Sequence, residues 1–67
     1  MDYYVNKNAQ ESGDHEVHTS ACNFLPSPEF RIYLGRSTNC REAVAEAWNH
    51  YHRVDGCYHC STACHRH

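Results

Sequence analysis

His18 and Cys22 are separated by three residues, and Cys57 and Cys60 by two. Imidazole nitrogen and thiolate sulfur are borderline and soft donors. At these spacings each pair can turn both donors toward one point, which is how four Cys and His side chains surround a tetrahedral zinc ion. The Cys57 pair forms a tight knuckle, with Gly56 just before it to relieve crowding. The His18 pair falls where a strand would end. Residues 23–56 lie between the two pairs, so one ion bound by His18, Cys22, Cys57 and Cys60 would close nearly the whole chain on itself.

Other residues compete for that role. Cys64 follows Cys60 by four positions and is flanked by His65 and His67, which makes it the alternative fourth ligand. Cys40 falls on an apolar stripe and reads as a small buried thiol. His15, His50, His52 and His59 read as solvated or as neighbours of the site, with His59, inside the knuckle, nearest to it. A redox role for Cys57 and Cys60 fits poorly. Such a pair needs its first cysteine at a helix N-terminus after a strand, whereas this pair follows a helix and precedes a polar tail.

Size makes a staple valuable. The chain has 67 residues, and domains of this size bury only about 60% of the surface their unfolded chains expose. An apolar core this small supplies about 3–5 kcal/mol, against about 10–16 kcal/mol for a structural zinc ion in a small module. Five cysteines and seven histidines are large shares of such a chain. The odd thiol count and the absence of an apolar leader in MDYYVNKNAQ point to a reducing, cytoplasmic setting, where clustered cysteines hold metal rather than form disulfides. No apolar run reaches the length of a membrane span, so no membrane partner is expected. Six Lys and Arg against eight Asp and Glu give a net charge of −2, without the basic excess of a nonspecific nucleic-acid binder. No phosphate loop, paired carboxylates or Ser–His–Asp arrangement is present, so a noncatalytic chain is expected.

The elements that must carry the donors are few. Residues 3–5 and 15–18 read as a hairpin with a long polar loop. Residues 19–29 read as a loop, because Pro26 and Pro28 do not fit a central strand. Phe30, Ile32 and Leu34 alternate with Arg31 and Tyr33 in a strand that Gly35 ends. A helix follows over about residues 40–52, with Asn39 as N-cap. Cys40, Ala43, Val44, Ala47, Trp48 and Tyr51 form its apolar stripe, and Gly56 suits the left-handed position after it. Trp48 and the tyrosines read as core and core edge, with Tyr3, Tyr33 and Tyr58 as a candidate aromatic surface. Asp14 and Asp55 read as turn residues.

The expected fold is therefore α+β: a two- to three-stranded antiparallel sheet and one helix, stapled by zinc. Residues 1–60 make a single domain and residues 61–67 a flexible Cys/His tail.

The stretches Val17-His18-Thr19-Ser20-Ala21-Cys22, Phe30-Arg31-Ile32-Tyr33-Leu34, Glu42-Ala43-Val44 and Gly56-Cys57-Tyr58-His59-Cys60 resemble the small zinc domain at the N-terminus of the Ada DNA-repair protein and related short modules. The resemblance spans about residues 3–60. It implies a zinc-dependent scaffold. In that family the four ligands are cysteines, and the first accepts a methyl group from a DNA phosphotriester. Here that position is His18, and an imidazole bound through its lone pair is no such nucleophile, so the resemblance does not carry the repair reaction over. The segment between the pairs is also longer, and the basic charge that grips a DNA backbone is missing.

Three functions are compatible with these residues. The first is a noncatalytic zinc module that contacts a protein or nucleic-acid partner. The second is a reactive zinc-thiolate protein that scavenges alkyl groups or senses redox state. The third is a metal-handling protein that uses the Cys/His-rich C-terminus.

Overall fold

A computed structural model describes residues 1–66 of the chain; His67, part of the expected tail, lies outside the described residues. The alternation of Tyr3 and Val5 with polar neighbours produces strand β1 (Asp2–Asn6), and that of His15, Val17 and Thr19 produces β2 (His15–Thr19). They pair antiparallel, Val5 opposite Val17. β3 (Arg31–Arg36) adds to the other side of β1, also antiparallel. Gly35 does not end β3 but lies inside it. Tyr3 pairs with Gly35 and Tyr4 with Tyr33, so Leu34 is the extra residue of a β-bulge. Gly35 meets that bulge with φ +106°, a conformation side chains rarely adopt.

The sheet has four strands, in the order β3-β1-β2-β4, where two or three are expected from sequence. The addition is β4 (Val54–Gly56), and it runs parallel to β2, so the sheet is mixed. The helix α1 (Cys40–Ala47) is shorter than expected. Asn39 Oδ1 accepts the Arg41 and Glu42 N–H groups at 3.0 and 3.2 Å, as an N-cap does. The other end stops early because Asn, His and Tyr are poor helix formers and the sheet competes for the backbone. The His15 N–H donates to the Arg53 carbonyl at 2.9 Å, and the His15 ring stacks on Tyr51 at 3.6 Å. Residues 51–56 thereby leave the helix for the edge of β2.

Tyr3, Val5, Val17, Cys40, Ala43, Ala47 and Val54 form the core between α1 and one face of the sheet. Trp48, expected inside, is 47% exposed, and Phe30 is exposed too. Tyr3 is buried and so belongs to no aromatic surface. Asp14 and Asp55 are each 2% exposed. Asp14 lies 3.4 Å from the Arg53 guanidinium, and Asp55 accepts the Arg66 N–H at 2.8 Å from within β4.

A first 3-10 turn, η1 (Pro28–Phe30), leads into β3, and beyond β4 the chain turns through a second, η2, at Thr62–Cys64. There Cys64 forms a disulfide with Cys40 at the start of α1, tying residues 62–64 to the helix. Among the described residues, no helix is long and apolar enough to cross a membrane.

Gly56 is required for close approach rather than for a left-handed conformation. A Cβ there would lie 2.7 Å from both the Ser61 carbonyl oxygen and the Cys64 Cβ. Both belong to a segment held by the disulfide and cannot retreat cheaply. Gly56→Ala is therefore expected to lower stability by about 1–3 kcal/mol, as overpacking does. Chemical denaturation of the two proteins measures it, and an unchanged midpoint would refute the tight approach.

Candidate metal centre

Strand direction assembles the donors. Because β2 and β4 are parallel, their C-terminal ends lie side by side: Val17 is registered with Gly56, and the Cys57 N–H donates to the Val17 carbonyl at 2.9 Å. The next residues along each strand are His18 and Cys57. The two-residue alternation of a strand directs His18 away from the face that packs on α1, and Glu16 goes to the same side. Each strand then runs into a turn that returns a second donor. The Cys22 N–H donates to the Thr19 carbonyl at 3.1 Å, and the Ser61 N–H to the Cys57 carbonyl at 2.9 Å.

The structure brings His18, Cys22, Cys57 and Cys60 together, with one donor atom from each lying within 4.8 Å of the others. The Cys22 and Cys57 sulfurs are 3.9 Å apart, and Cys60 Sγ is 4.0 Å from His18 Nδ1. Two sulfurs on a tetrahedral ion with bonds of about 2.3 Å stand about 3.8 Å from each other. The spacing thus suits one shared ion. His18 and Cys57 are 1% exposed, while Cys22 and Cys60 are partly exposed.

Each sulfur also accepts a backbone N–H: Cys22 from Phe24 at 3.4 Å, Cys57 from His59 at 3.4 Å, and Cys60 from Thr19 at 3.3 Å. In the Cys22 and Cys57 turns the donor is two residues on. Amide donors of this kind favour the thiolate over the thiol, the form a metal needs. The donor set and its surroundings fit a metal ion.

His18 has a second nitrogen to satisfy. Its Nε2 is buried without a hydrogen-bond partner and lies 3.6 Å from Glu16 Oε1, just beyond hydrogen-bond reach. A histidine that ligates through one nitrogen commonly presents the N–H of the other to a carboxylate, which fixes its tautomer. Glu16 occupies that position. It was overlooked in the sequence, although a separation of two residues on a strand is itself a signal that two side chains share a face.

The other candidates fall elsewhere. Cys64, the alternative ligand, has its sulfur bonded to Cys40 and is not among the converging donors. Cys40 is buried as expected, but in that disulfide. His59 touches the centre through its backbone N–H, while its ring stacks on Phe24 at 4.4 Å. His50 and His52 are exposed. His15 lies in β2 against Tyr51.

Comparison with protein-family models, with curated proteins and with solved structures finds no match to this chain.

The protonation of the cluster follows from its environment. Burial pushes the Cys22 thiol up to about 12, and burial likewise raises Cys57. Burial also works against the Cys60 thiolate, but hydrogen bonds from the Thr19 N–H, the Ser61 hydroxyl and the Cys22 and Cys57 thiols together outweigh it and lower Cys60 from the ordinary thiol value. Burial lowers His18, so the imidazole is neutral at pH 7. A metal entering at pH 7 must therefore displace protons from Cys22 and Cys57 but none from His18. Titration calorimetry in buffers of different ionisation enthalpy is expected to show net release of thiol protons on binding, with affinity falling as pH falls. Heats independent of the buffer would contradict this protonation pattern.

Proposed function

We propose that the chain is a small noncatalytic zinc module of the Ada-like kind, whose metal holds a scaffold for contact with a protein or nucleic-acid partner. The observation that carries this reading is the convergence of three sulfurs and one imidazole, each sulfur accepting a backbone N–H. Zinc is the ion best suited to a Cys3His set at this spacing. Four protein donors fill a tetrahedron and leave no position for a catalytic water. The resemblance of residues 3–60 to Ada-like modules supports the same scaffold, and His18 at the first ligand position separates it from alkyl transfer at that residue.

One zinc per chain is expected by elemental mass spectrometry. Because metal binding in so small a module contributes on the order of 10 kcal/mol, a chelator should abolish the dispersed amide NMR spectrum. Full structure retained in a metal-free sample would sink the reading.

A second reading has one observation in its favour. A cavity of about 260 Å³ opens beside Cys22 and Cys60 and is lined also by Asn23, Phe24 and His59. It would admit a small electrophile to a zinc-bound thiolate. If the centre reacts in this way, iodoacetamide should modify Cys22 or Cys60 of the zinc-loaded chain well before Cys57. Uniformly slow modification of all three would leave the noncatalytic module alone. The metal-handling reading loses Cys64 as a donor while the disulfide stands.

A further inference from the structure

A groove of about 330 Å³ lies between α1 and the β4–η2 segment. Val44, Val54 and Ala63 contribute apolar walls, and Trp48, Arg41 and Arg66 line it too. Trp48 is the only tryptophan of the chain and is 47% exposed. Tryptophan and arginine are the residues most enriched among those that dominate protein interfaces.

The two arginines differ from the others. Arg36 pairs with Asp2 and Arg53 with Asp14. Arg31 donates to the Pro26 carbonyl and covers the Tyr4 ring. Neither Arg41 nor Arg66 has an ion pair among the described residues, and no carboxylate is among the residues lining the groove. A chain of net charge −2 thus gathers around one apolar trough two arginines that have no ion pair among the described residues.

Arg41 and Trp48 are seven positions apart on one side of the helix and its cap, about 10 Å along the axis. That length takes about three residues of extended chain. We propose that the groove is a docking site for an extended segment of a partner protein in which a bulky apolar side chain is flanked by carboxylates. The apolar side chain seats against Trp48, Val44 and Val54, and the carboxylates meet Arg41 and Arg66. A second copy of the chain is disfavoured, since a two-fold contact would set the same arginines against each other. A nucleic acid is disfavoured by the acidic net charge. The proposal rests on the reading of the chain as an interaction module, but it does not require the metal.

The test is fluorescence anisotropy of a labelled pentapeptide, acetyl-Asp-Glu-Phe-Glu-Asp, titrated with the zinc-treated full chain, with circular dichroism recorded on every variant. Saturable binding that weakens with added salt is expected. Arg41→Glu and Arg66→Glu should each weaken it about tenfold or more, Trp48→Ala should weaken it at least as much, and the Lys-Lys-Phe-Lys-Lys counterpart should not bind. The proposal is overturned by absence of binding to a folded chain, or by equal affinity for both peptides. It is also overturned by folded arginine variants that bind normally, by displacement of the peptide by a thymidine oligonucleotide, or by self-association of the chain that buries Trp48. No peptide binding to a chain that holds one zinc removes the groove and leaves the zinc scaffold standing. Peptide binding by a folded chain that holds no metal supports the groove and removes the zinc scaffold instead.

Discussion

Three sulfurs and an imidazole lie within 4.8 Å of one another, so close that their thiols cannot all become thiolates unless a cation balances the charge. Burial keeps the protons on Cys22 and Cys57, and a divalent ion would replace them. The crowding is imposed by the backbone, because the parallel pairing of β2 with β4 fixes His18 beside Cys57 before any donor chooses a partner. The turns after each strand then have only one side on which to place Cys22 and Cys60. The remaining architecture serves that pairing. β1 and β3 give β2 a sheet to belong to, and α1 covers the far face so that Val17 and Val54 are buried and the register cannot slip by one residue.

β4 is too short to hold its own place: three residues, one of them glycine, offer little side-chain packing. It is fixed instead at both ends and on both faces. Arg53 and Asp14 secure its start, and the donor cluster its end. The Cys40–Cys64 disulfide draws the following turn against the helix side, close enough that only glycine fits at position 56. The cluster and the disulfide are thus two closures on opposite sides of one strand. Each limits the freedom that the other would otherwise have to restrain, so their effects on stability are coupled rather than additive.

The donor set was legible in the sequence because its signal is local: two close pairs, each at a spacing that a single turn can accommodate. Strands β1 to β3 and the Asn39 cap were legible for the same reason, since alternation and capping depend on neighbours in the chain. β4 was hidden. Val54-Asp55-Gly56 has no period, and its strand character comes from β2, nearly forty positions earlier. The helix was overextended for the converse reason: Trp48 and Tyr51 continue the stripe, and nothing local reveals that the sheet takes residues 51–56 away. The Cys40–Cys64 disulfide is not legible where a reducing setting is expected, since thiols there read as metal ligands or free. Once three thiols are assigned to the cluster, however, Cys40 and Cys64 are the two that remain.

The largest apolar side chain of the chain is on its surface because Cys40, Ala43 and Ala47 carry the buried face of α1 and Trp48 lies to one side of it. Trp48, the C-cap, is still helical in φ and ψ and donates its N–H to the Val44 carbonyl, and its side chain lines the groove between α1 and η2. The disulfide keeps that gap narrow by anchoring one wall to the other at Cys40. Arg41, immediately after the bridged cysteine, and Arg66, two residues beyond its partner, are carried to the same trough by the bridge itself. The groove borders β4, the strand whose pairing with β2 assembles the donors.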